Sequence, residues 1–376
     1  MTANQKPRVV VGLSGGVDSA AAAALLRQQG YEVIGITLKL WEPADPASGD
    51  NRCCGVQAVY DSRDVCHKID VPYYVLDESE AFQREVIAYF AAEYRAGRTP
   101  NPCVLCNEKL KFGALLKRAD QLDASFVATG HYARVEKNAA GRYLLKRGRD
   151  SHKDQSYFLF TLQQAQLARI LLPLGEWTKT DSRQLARQSG LPNADKKESM
   201  EICFVTDDDY PGFLAREAGV KPQAGDIVNR QGKILGQHSG IEFFTIGQRK
   251  GLRLSHPEPL YVVDLDPATN RVLVGQASDL ERTELSVERC NWIAFDSPPA
   301  SLDVTAKVRY KHPGAPARVT PHVAGTAQVH FYQAQRAITP GQACVFYDGD
   351  TVVGGGWIVR QAEAHRQLRH GRRMDR

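Results

Sequence analysis

Apolar and polar positions follow two regimes along the chain. In the first half, short apolar runs alternate with stretches of helical period. Val9–Leu13 reads as a strand and Ala20–Gln29 as a helix. Glu32–Leu40 is the next strand, Tyr60–Ile69 a helix, Tyr73–Leu76 a short buried strand and Ala81–Arg95 a helix. Phe126–Thr129 is a strand that ends at Gly130-His131. This rhythm predicts a parallel, doubly wound α/β sheet with sites at the carboxyl ends of its strands. Tyr143–Gly148 and Ser156–Leu162 are followed by helical stretches that include Ser182–Ser189, and Pro211-Gly212 suits the end of a domain. From about Gln223 short strands alternate with Gly turns: Gly225–Val228, Gly236–Gly240, Ile241–Ile246, Leu260–Leu265 and Arg271–Val274. From about Ser286 come Val304–Tyr310, Ala317–Thr320, Ala327–Phe331, Ala343–Tyr347 and Thr351–Ile358. Even spacing with turn signals predicts a small β-barrel. The expected division is 1–212 for the α/β domain, 213–282 for a small central β-rich domain and 283–376 for a C-terminal β-barrel.

The first strand runs into Gly12-Leu13-Ser14-Gly15-Gly16-Val17-Asp18-Ser19. A strand, a tight Gly turn and a helix start present backbone N–H groups to a phosphate. Gly15 and Gly16 let the backbone approach an anion with no Cβ in the way. Ser14 and Ser19 can donate hydroxyl hydrogen bonds. Asp18 can cap the helix or hold a metal ion that rides on phosphates. No Lys follows the second glycine and the glycines are adjacent, so neither GxxxxGK[ST] nor GxGxxG is present. The run SGGxDS resembles the PP-loop of ATP pyrophosphatases, which split ATP between its α and β phosphates and adenylate a substrate.

At 376 residues the chain exceeds one ordinary domain. An apolar content of 43% and a charged content of 24% suit a soluble protein. No stretch reaches the roughly 18–20 apolar residues of a membrane span. The first residues lack the apolar core of a secretory signal, so a cytoplasmic location is expected. A net charge of +5 leans weakly toward an anionic partner. The tail is more basic, with Arg360, Arg366, Arg369, Arg372, Arg373 and Arg376 against Glu363 and Asp375. It is either a solvated tail or a grip on phosphate. Residues 41–56 carry turn formers and read as a mobile loop beside the nucleotide site.

Eight cysteines fall at 53, 54, 66, 103, 106, 203, 290 and 344. In a cytosolic protein they are metal-binding, catalytic or buried sooner than disulfide-bonded. In Asn101-Pro102-Cys103-Val104-Leu105-Cys106, Asn101 is a good N-cap and Pro102 suits the first helical position. Cys103 and Cys106 then share one face near the helix start, where the dipole lowers a thiol's pKa. Cys203 follows Lys196-Lys197, two cations able to stabilise a thiolate, and opens the apolar run Cys203-Phe204-Val205. Cys290 and Cys344 sit in apolar strands and read as core. A zinc site from Cys103 and Cys106 with Cys53-Cys54 or Cys66-His67 is the rival reading.

Ser14–Ser19, Asn101–Gly113, Gly130-His131-Tyr132-Ala133-Arg134, Lys153-Asp154-Gln155-Ser156-Tyr157-Phe158-Leu159, Ile202-Cys203-Phe204 and Phe244–Leu252 (FTIGQRKGL) occur in order through nearly the whole chain. Together they resemble the tRNA-specific 2-thiouridylase family. The resemblance implies ATP-dependent sulfur transfer to C2 of the wobble uridine, U34, in the anticodon stem-loop of tRNA. ATP with Mg2+ is then a cosubstrate, with Asp18 a candidate Mg2+ contact, and no permanent cofactor is expected. Cys203 carries a persulfide from a donor or relay protein. Cys106 attacks it, and the resulting disulfide needs a reductant. Nucleotide contacts fall on Gly12 through Ser19, Leu38 and Gly130. Those with tRNA fall on Asn101, Pro102, Cys103, His131, Lys153, Asp154, Gln155, Arg309, Tyr310 and Gln342. Many family members carry Asp where this chain has Cys103, and that Asp is assigned acid/base work on the uracil. Cys103 is therefore a candidate acid/base and a possible competitor of Cys106. Two rivals remain: a PP-loop ligase that forms amide bonds and needs no cysteine pair, and an ATP-gated RNA-binding protein that releases no AMP.

Overall fold

The computed structural model describes residues 6–41, 55–197, 202–205, 209–216, 219 and 221–360. Most of the loop at 41–56, Cys53-Cys54, Glu198–Glu201 ahead of Cys203, and the basic tail beyond Arg360 lie outside the described residues. Two compact units emerge: residues 1–86, 102–208 and 350–352 form one, and 87–101, 209–349 and 353–376 the other.

In chain order the first half comprises β1 (Arg8–Gly12), α1 (Val17–Gln28), β2 (Glu32–Lys39), α2 (Val56–Lys68), β3 (Tyr73–Asp77), α3 (Ser79–Phe82), α4 (Ala88–Arg95), α5 (Pro102–Leu105), α6 (Gly113–Gln121), β4 (Phe126–Ala128), β5 (Ala133–Lys137), β6 (Tyr143–Arg147), α7 (Gln164–Leu167), β7 (Ile170–Leu171) and α8 (Lys179–Gln188). Of these, α4 clusters with the second unit. A five-stranded sheet orders as β3-β2-β1-β4-β7, and all four pairings are parallel. Val9, Val10 and Val11 are fully buried, as strands covered on both faces require. The order reverses at β1, whose neighbours are β2 and β4. The crevice beyond the carboxyl ends of β1 and β4 is where such sheets bind ligands. The Gly-rich turn follows β1 and Gly130 follows β4, so both sit there.

Small residues set the packing. Ala20 through Ala24 of α1 are buried and let α8 pack on α1. On β2, a Cβ at Gly35 would lie 2.4 Å from Cys66 Sγ and 2.8 Å from Leu13 Cδ1. The Cys66 thiol occupies the space of that missing side chain, and burial pushes its pKa up to about 12.

Two expectations are corrected. Tyr73–Asp77 is an edge strand that leaves Tyr74 and Val75 exposed, not a buried one. Ile241–Ile246 opens with a 3-10 turn over Ile241–Phe243 instead of a strand, because its apolar residues plug a core without pairing. Pro211 and Gly212 lie in α9 (Tyr210–Arg216), where proline fits the first turn of a helix.

In the second unit, β8 (Gly225–Val228), β9 (Ile234–His238), β10 (Tyr261–Asp266) and β11 (Arg271–Gly275) form a sheet ordered β10-β11-β8-β9. Then β12 (Glu281–Asn291), β13 (Leu302–Lys307), β14 (Ala315–His322), β15 (Thr326–Arg336), β16 (Ala343–Asp348) and β17 (Thr351–Val359) order as β12-β15-β14-β13-β16-β17. A β12–β17 pairing closes them into a six-stranded barrel around Val329, Phe331, Cys344 and Phe346, all fully buried. The start of β17 clusters with the first unit, where Thr351 and Val352 pair with Lys146 and Leu145 of the β5–β6 hairpin. No described helix is long and apolar enough to cross a membrane.

The Gly35–Cys66 fit yields a double-mutant test. Gly35→Ala should cost about 1–3 kcal/mol through overpacking. In a Cys66→Ala background the extra cost should fall by at least about half, read from urea midpoints. Additive costs would contradict the packing account.

Candidate nucleotide and thiol site

The first helix begins at the Gly-rich turn because Gly16, in extended backbone, serves as its N-cap without a side-chain bond. The opening N–H groups of α1 thus have no intrahelical partner. Gly15 has φ +70°, and its absent Cβ would sit 2.7 Å from the Ala58 Cα. Ser19 Oγ accepts from Ser14 N at 3.2 Å, donates to Gly16 O at 3.0 Å and lies 3.3 Å from Ser14 Oγ. These bonds hold the turn in shape. Gly130 closes the other side. A Cβ there would lie 2.6 Å from Asp18 C and 2.6 Å from Ser19 N, so the end of β4 rests directly on the start of α1. Leu38, buried near the end of β2, belongs to the same edge of the sheet.

Asp18 does not cap the helix. Its Oδ1 accepts from Lys179 Nζ at 2.6 Å and from Tyr132 Oη at 2.7 Å, and that hydroxyl also lies 3.0 Å from Ser182 Oγ. Lys179 is nine-tenths buried. It is placed by a capping box at the start of α8, where Thr178 Oγ1 accepts from Asp181 N at 3.2 Å and Asp181 Oδ2 accepts from Thr178 N at 2.9 Å. Asn193 donates Nδ2 to Gly15 O at 3.2 Å, while its buried Oδ1 has no partner among the described residues. Lys179, Tyr132, Ser182 and Asn193 were missed from the sequence. Only the Thr178-x-x-Asp181 box gave a local signal, and it announced a helix start, not a cation.

The cysteine helix is continuous from Pro102 to Gln121, with a π-helical segment over Cys106–Phe112 between α5 and α6. Such segments concentrate at functional sites. Cys103 is part-exposed, Cys106 buried. Asn107 Nδ2 donates to Phe158 O at 3.4 Å, and its buried Oδ1 has no partner among the described residues. Leu115 of α6 reaches the end of β1, since a Cβ at Gly12 would meet its Cδ1 at 2.8 Å. Phe112 lies against His131 with ring centroids 5.9 Å apart. Cys203 sits in a turn, part-exposed, ahead of buried Phe204. Phe204 packs edge-on against Phe82 of α3 at 5.5 Å, and α3 packs on the Cys106–Phe112 segment. Both cysteine elements therefore share α3 as a neighbour. Lys196 does not serve Cys203 as expected: its Nζ bonds Asp61 Oδ2 at 2.5 Å.

The other described thiols, Cys66, Cys290 and Cys344, are placed as core. Burial pushes Cys290 up to about 12 and raises Cys344 further. Among the described residues no group of three His, Cys, Asp or Glu side chains could hold a metal.

The residues expected at RNA divide into two kinds. His131 is buried, with Nδ1 2.7 Å from Thr129 Oγ1; burial and nearby Lys111 push its pKa down to about 3. It is a neutral ring and offers no charge to a phosphate. Asp154 is buried and accepts from Gly148 N at 3.2 Å and Ser156 N at 3.0 Å, and Gln155 Oε1 accepts from Tyr132 N at 3.0 Å. These two shape their loop, while Lys153 is part-exposed. In the second unit, Gln342 Nε2 donates to Thr99 O at 3.1 Å and Pro100 O at 3.0 Å, which fixes the approach to buried Asn101. Pro102, the next residue, is buried too. Arg309 is exposed beside part-exposed Tyr310, over whose ring Lys307 Nζ lies at 5.8 Å.

A parallel sheet with a Gly-rich turn at its switch point, joined to a β-barrel, defines a nucleotide-binding protein of the HUP class. Residues 7–207 match the model of the tRNA methyl transferase HUP domain, 212–276 that of the tRNA methyl transferase PRC-barrel domain and 282–358 that of the aminomethyltransferase β-barrel domain. The tRNA-specific 2-thiouridylase of Moorella thermoacetica is 52% identical over 94% of this chain and 100% of its own. That of Geotalea uraniireducens is 48% identical over 98% and 99%, and that of Magnetococcus marinus 51% over 94% and 99%. The chain belongs to the tRNA-specific 2-thiouridylase family.

Two outcomes follow. Lys179→Met removes the cation that pairs Asp18 beside the Gly-rich turn. A charged hydrogen bond is worth about 1.5–3 kcal/mol, so kcat/KM for ATP should fall at least about tenfold, with Lys179→Arg partly restoring it. An unchanged ATP dependence would remove Lys179 from the site. For His131, the folded pKa lies below the ordinary 6.5, so the unfolded chain binds the extra proton between the two values. Stability should therefore decline as pH falls from 6.5 toward 3, by up to about 1.4 kcal/mol per pH unit. Urea titrations should show a shallower acid decline for His131→Gln; identical slopes would contradict the buried neutral ring.

Proposed function

We propose that the chain is an ATP-dependent sulfurtransferase that converts the wobble uridine of tRNA to 2-thiouridine. The observation that carries this reading is that the phosphate turn, the Cys103–Cys106 helix and the Cys203 turn all belong to one compact unit. A nucleotide-activating loop next to thiols needs a substrate whose oxygen is exchanged for sulfur, and the family supplies the uridine.

The uracil C2 oxygen attacks the α phosphate of ATP, pyrophosphate leaves, and C2 gains AMP as a leaving group far better than oxide. The N–H groups at the start of α1 suit the phosphates. Lys179 would turn from Asp18 toward the phosphates when Asp18 takes the Mg2+ that accompanies ATP. Cys203 carries a persulfide from an external donor. The Cys106 thiolate attacks the inner sulfur, the S–S bond breaks, and hydrosulfide leaves as a Cys106–Cys203 disulfide forms. Hydrosulfide adds to C2 and AMP departs. A two-electron reductant restores both thiols. Cys103 would transfer a proton to or from the uracil, in a setting where a helix start favours thiolate. Exposed Arg309 and part-exposed Tyr310 and Lys153 suit phosphate contact and stacking. Asp154 and Gln155 act by shaping the loop that presents Lys153, and Gln342 by fixing the chain ahead of Asn101. The chain divides, on this reading, into an adenylating part, a central β-rich part and a barrel, near residues 212 and 282.

With unmodified tRNA, ATP, Mg2+ and a persulfide donor, nucleoside mass analysis should show 2-thiouridine. Cys106→Ser and Cys203→Ser should each abolish it, while Cys103→Ser leaves a measurable fraction. Full activity of Cys106→Ser would overturn its role. A methylated uridine in place of the thiolated one would overturn the reaction class.

A further inference from the structure

The FTIGQRKGL stretch has no part in the chemistry above, yet its turn is unusually well braced. Gly247 N donates to Val262 O at 2.8 Å and Val262 N to Gln248 O at 2.9 Å, which ties the turn to β10. The Gln248 side chain accepts from Thr245 N at 3.0 Å and donates to Lys250 O at 3.0 Å. Leu252 is buried in the apolar core of the β8–β11 sheet. Between and beyond these anchors Gly247, Gly251 and Arg253 hold φ values of +92°, +84° and +52°. Arg249, Lys250 and Arg253 are consequently exposed on a fixed frame. Arg249 and Arg253 line a concavity of about 320 Å³ with His256, Glu258 and Leu260.

Among the described residues, Arg249, Lys250 and Arg253 enter no ion pair. In the same unit Arg216 is paired with Asp209, Arg230 with Asp279 and Arg318 with Asp303, while Arg271, Arg282 and Arg309 enter no ion pair among the described residues. The one carboxylate on the rim, Glu258, accepts from Gln276 Nε2 at 2.5 Å. His256 Nδ1 lies 3.0 Å from Glu258 O.

We propose that Arg249, Lys250 and Arg253 are a preorganised contact for the phosphate backbone of the tRNA, separate from the residues that handle the nucleotide and the thiols. The inference rests on the tRNA reading above. Uncompensated cations on a rigid turn lose little entropy on binding and release counterions from a polyanion. An acidic protein partner fits less well, because protein interfaces centre on exposed apolar or aromatic anchors. The large exposed apolar side chains described in this unit, Ile234, Val323 and Tyr332, lie outside the turn.

The test is tRNA binding by the full chain as a function of salt, for wild type, Arg249→Gln/Lys250→Gln and the control Arg230→Gln. Each lost phosphate contact lowers the log–log salt slope by about 0.7–0.9. The double variant should therefore lose about 1.4–1.8 in slope and at least about tenfold in affinity, with an unchanged thermal midpoint and unchanged turnover at saturating tRNA. The control should match wild type. A double variant with wild-type slope and affinity overturns the inference. So does a variant that keeps tRNA affinity but loses turnover only when a protein supplies the sulfur, which would make the turn a protein contact. Wild type that binds no tRNA would overturn the tRNA reading and this inference together.

Discussion

The site depends on one close approach. The end of β4 lies against the first turn of α1 so tightly that residue 130 has no room for a Cβ. This contact leaves the first N–H groups of α1 beyond the strand ends, an arrangement that suits an anion. It also creates a problem, because Asp18 is a carboxylate in that same first turn. Left alone it would repel the phosphate that the N–H groups attract. Lys179 and Tyr132 on its Oδ1 supply the compensation. The Walker-type loop carries its lysine in the loop itself. Here the cation comes from the start of α8, with a sequence separation of 161.

The second organising feature is a partition of thiols. Cys66 and Cys344 are sealed in cores, and half-buried Cys290 joins them with a raised pKa. A thiol that resists ionisation is a poor nucleophile, so these three act as apolar filling. Cys103, Cys106 and Cys203 instead sit on a helix start and a turn. The elements that carry them share α3 through Phe82 and Phe204. Core packing thus separates these three thiols from the Cys103–Cys106 helix and the Cys203 turn, and Phe112 of that helix packs against His131 just beyond β4.

What the sequence made legible was local. The Gly turn shows in β1, Gly15, Gly16 and α1, because adjacent residues dictate that geometry. Cys103 and Cys106 could be placed near a helix start from Pro102 alone. Closure of the barrel followed from evenly spaced strands, although the long strand β12 was not delimited. Lys179 and Asn193 were invisible, since their contacts to Asp18 and Gly15 join segments far apart in the chain with no repeating pattern. Lys196 misled in the same way: its sequence neighbourhood suggested Cys203, and its partner is Asp61. His131 was expected among the tRNA contacts from the resemblance, and nothing in its sequence neighbourhood signalled that burial and nearby Lys111 would push its pKa down. The π segment at Cys106–Phe112 had no sequence signal, because propensity distinguishes helix from strand and not one helical pitch from another.

The central claim is that ATP activates the C2 oxygen of uridine itself. The most direct measurement uses tRNA whose wobble uridine carries a heavy oxygen isotope at C2, turned over once with ATP, Mg2+ and a persulfide donor. The account predicts that the heavy oxygen leaves in the phosphate group of AMP, in proportion to the 2-thiouridine formed. Heavy oxygen in water, in pyrophosphate or in ADP, with AMP unlabelled, would contradict it.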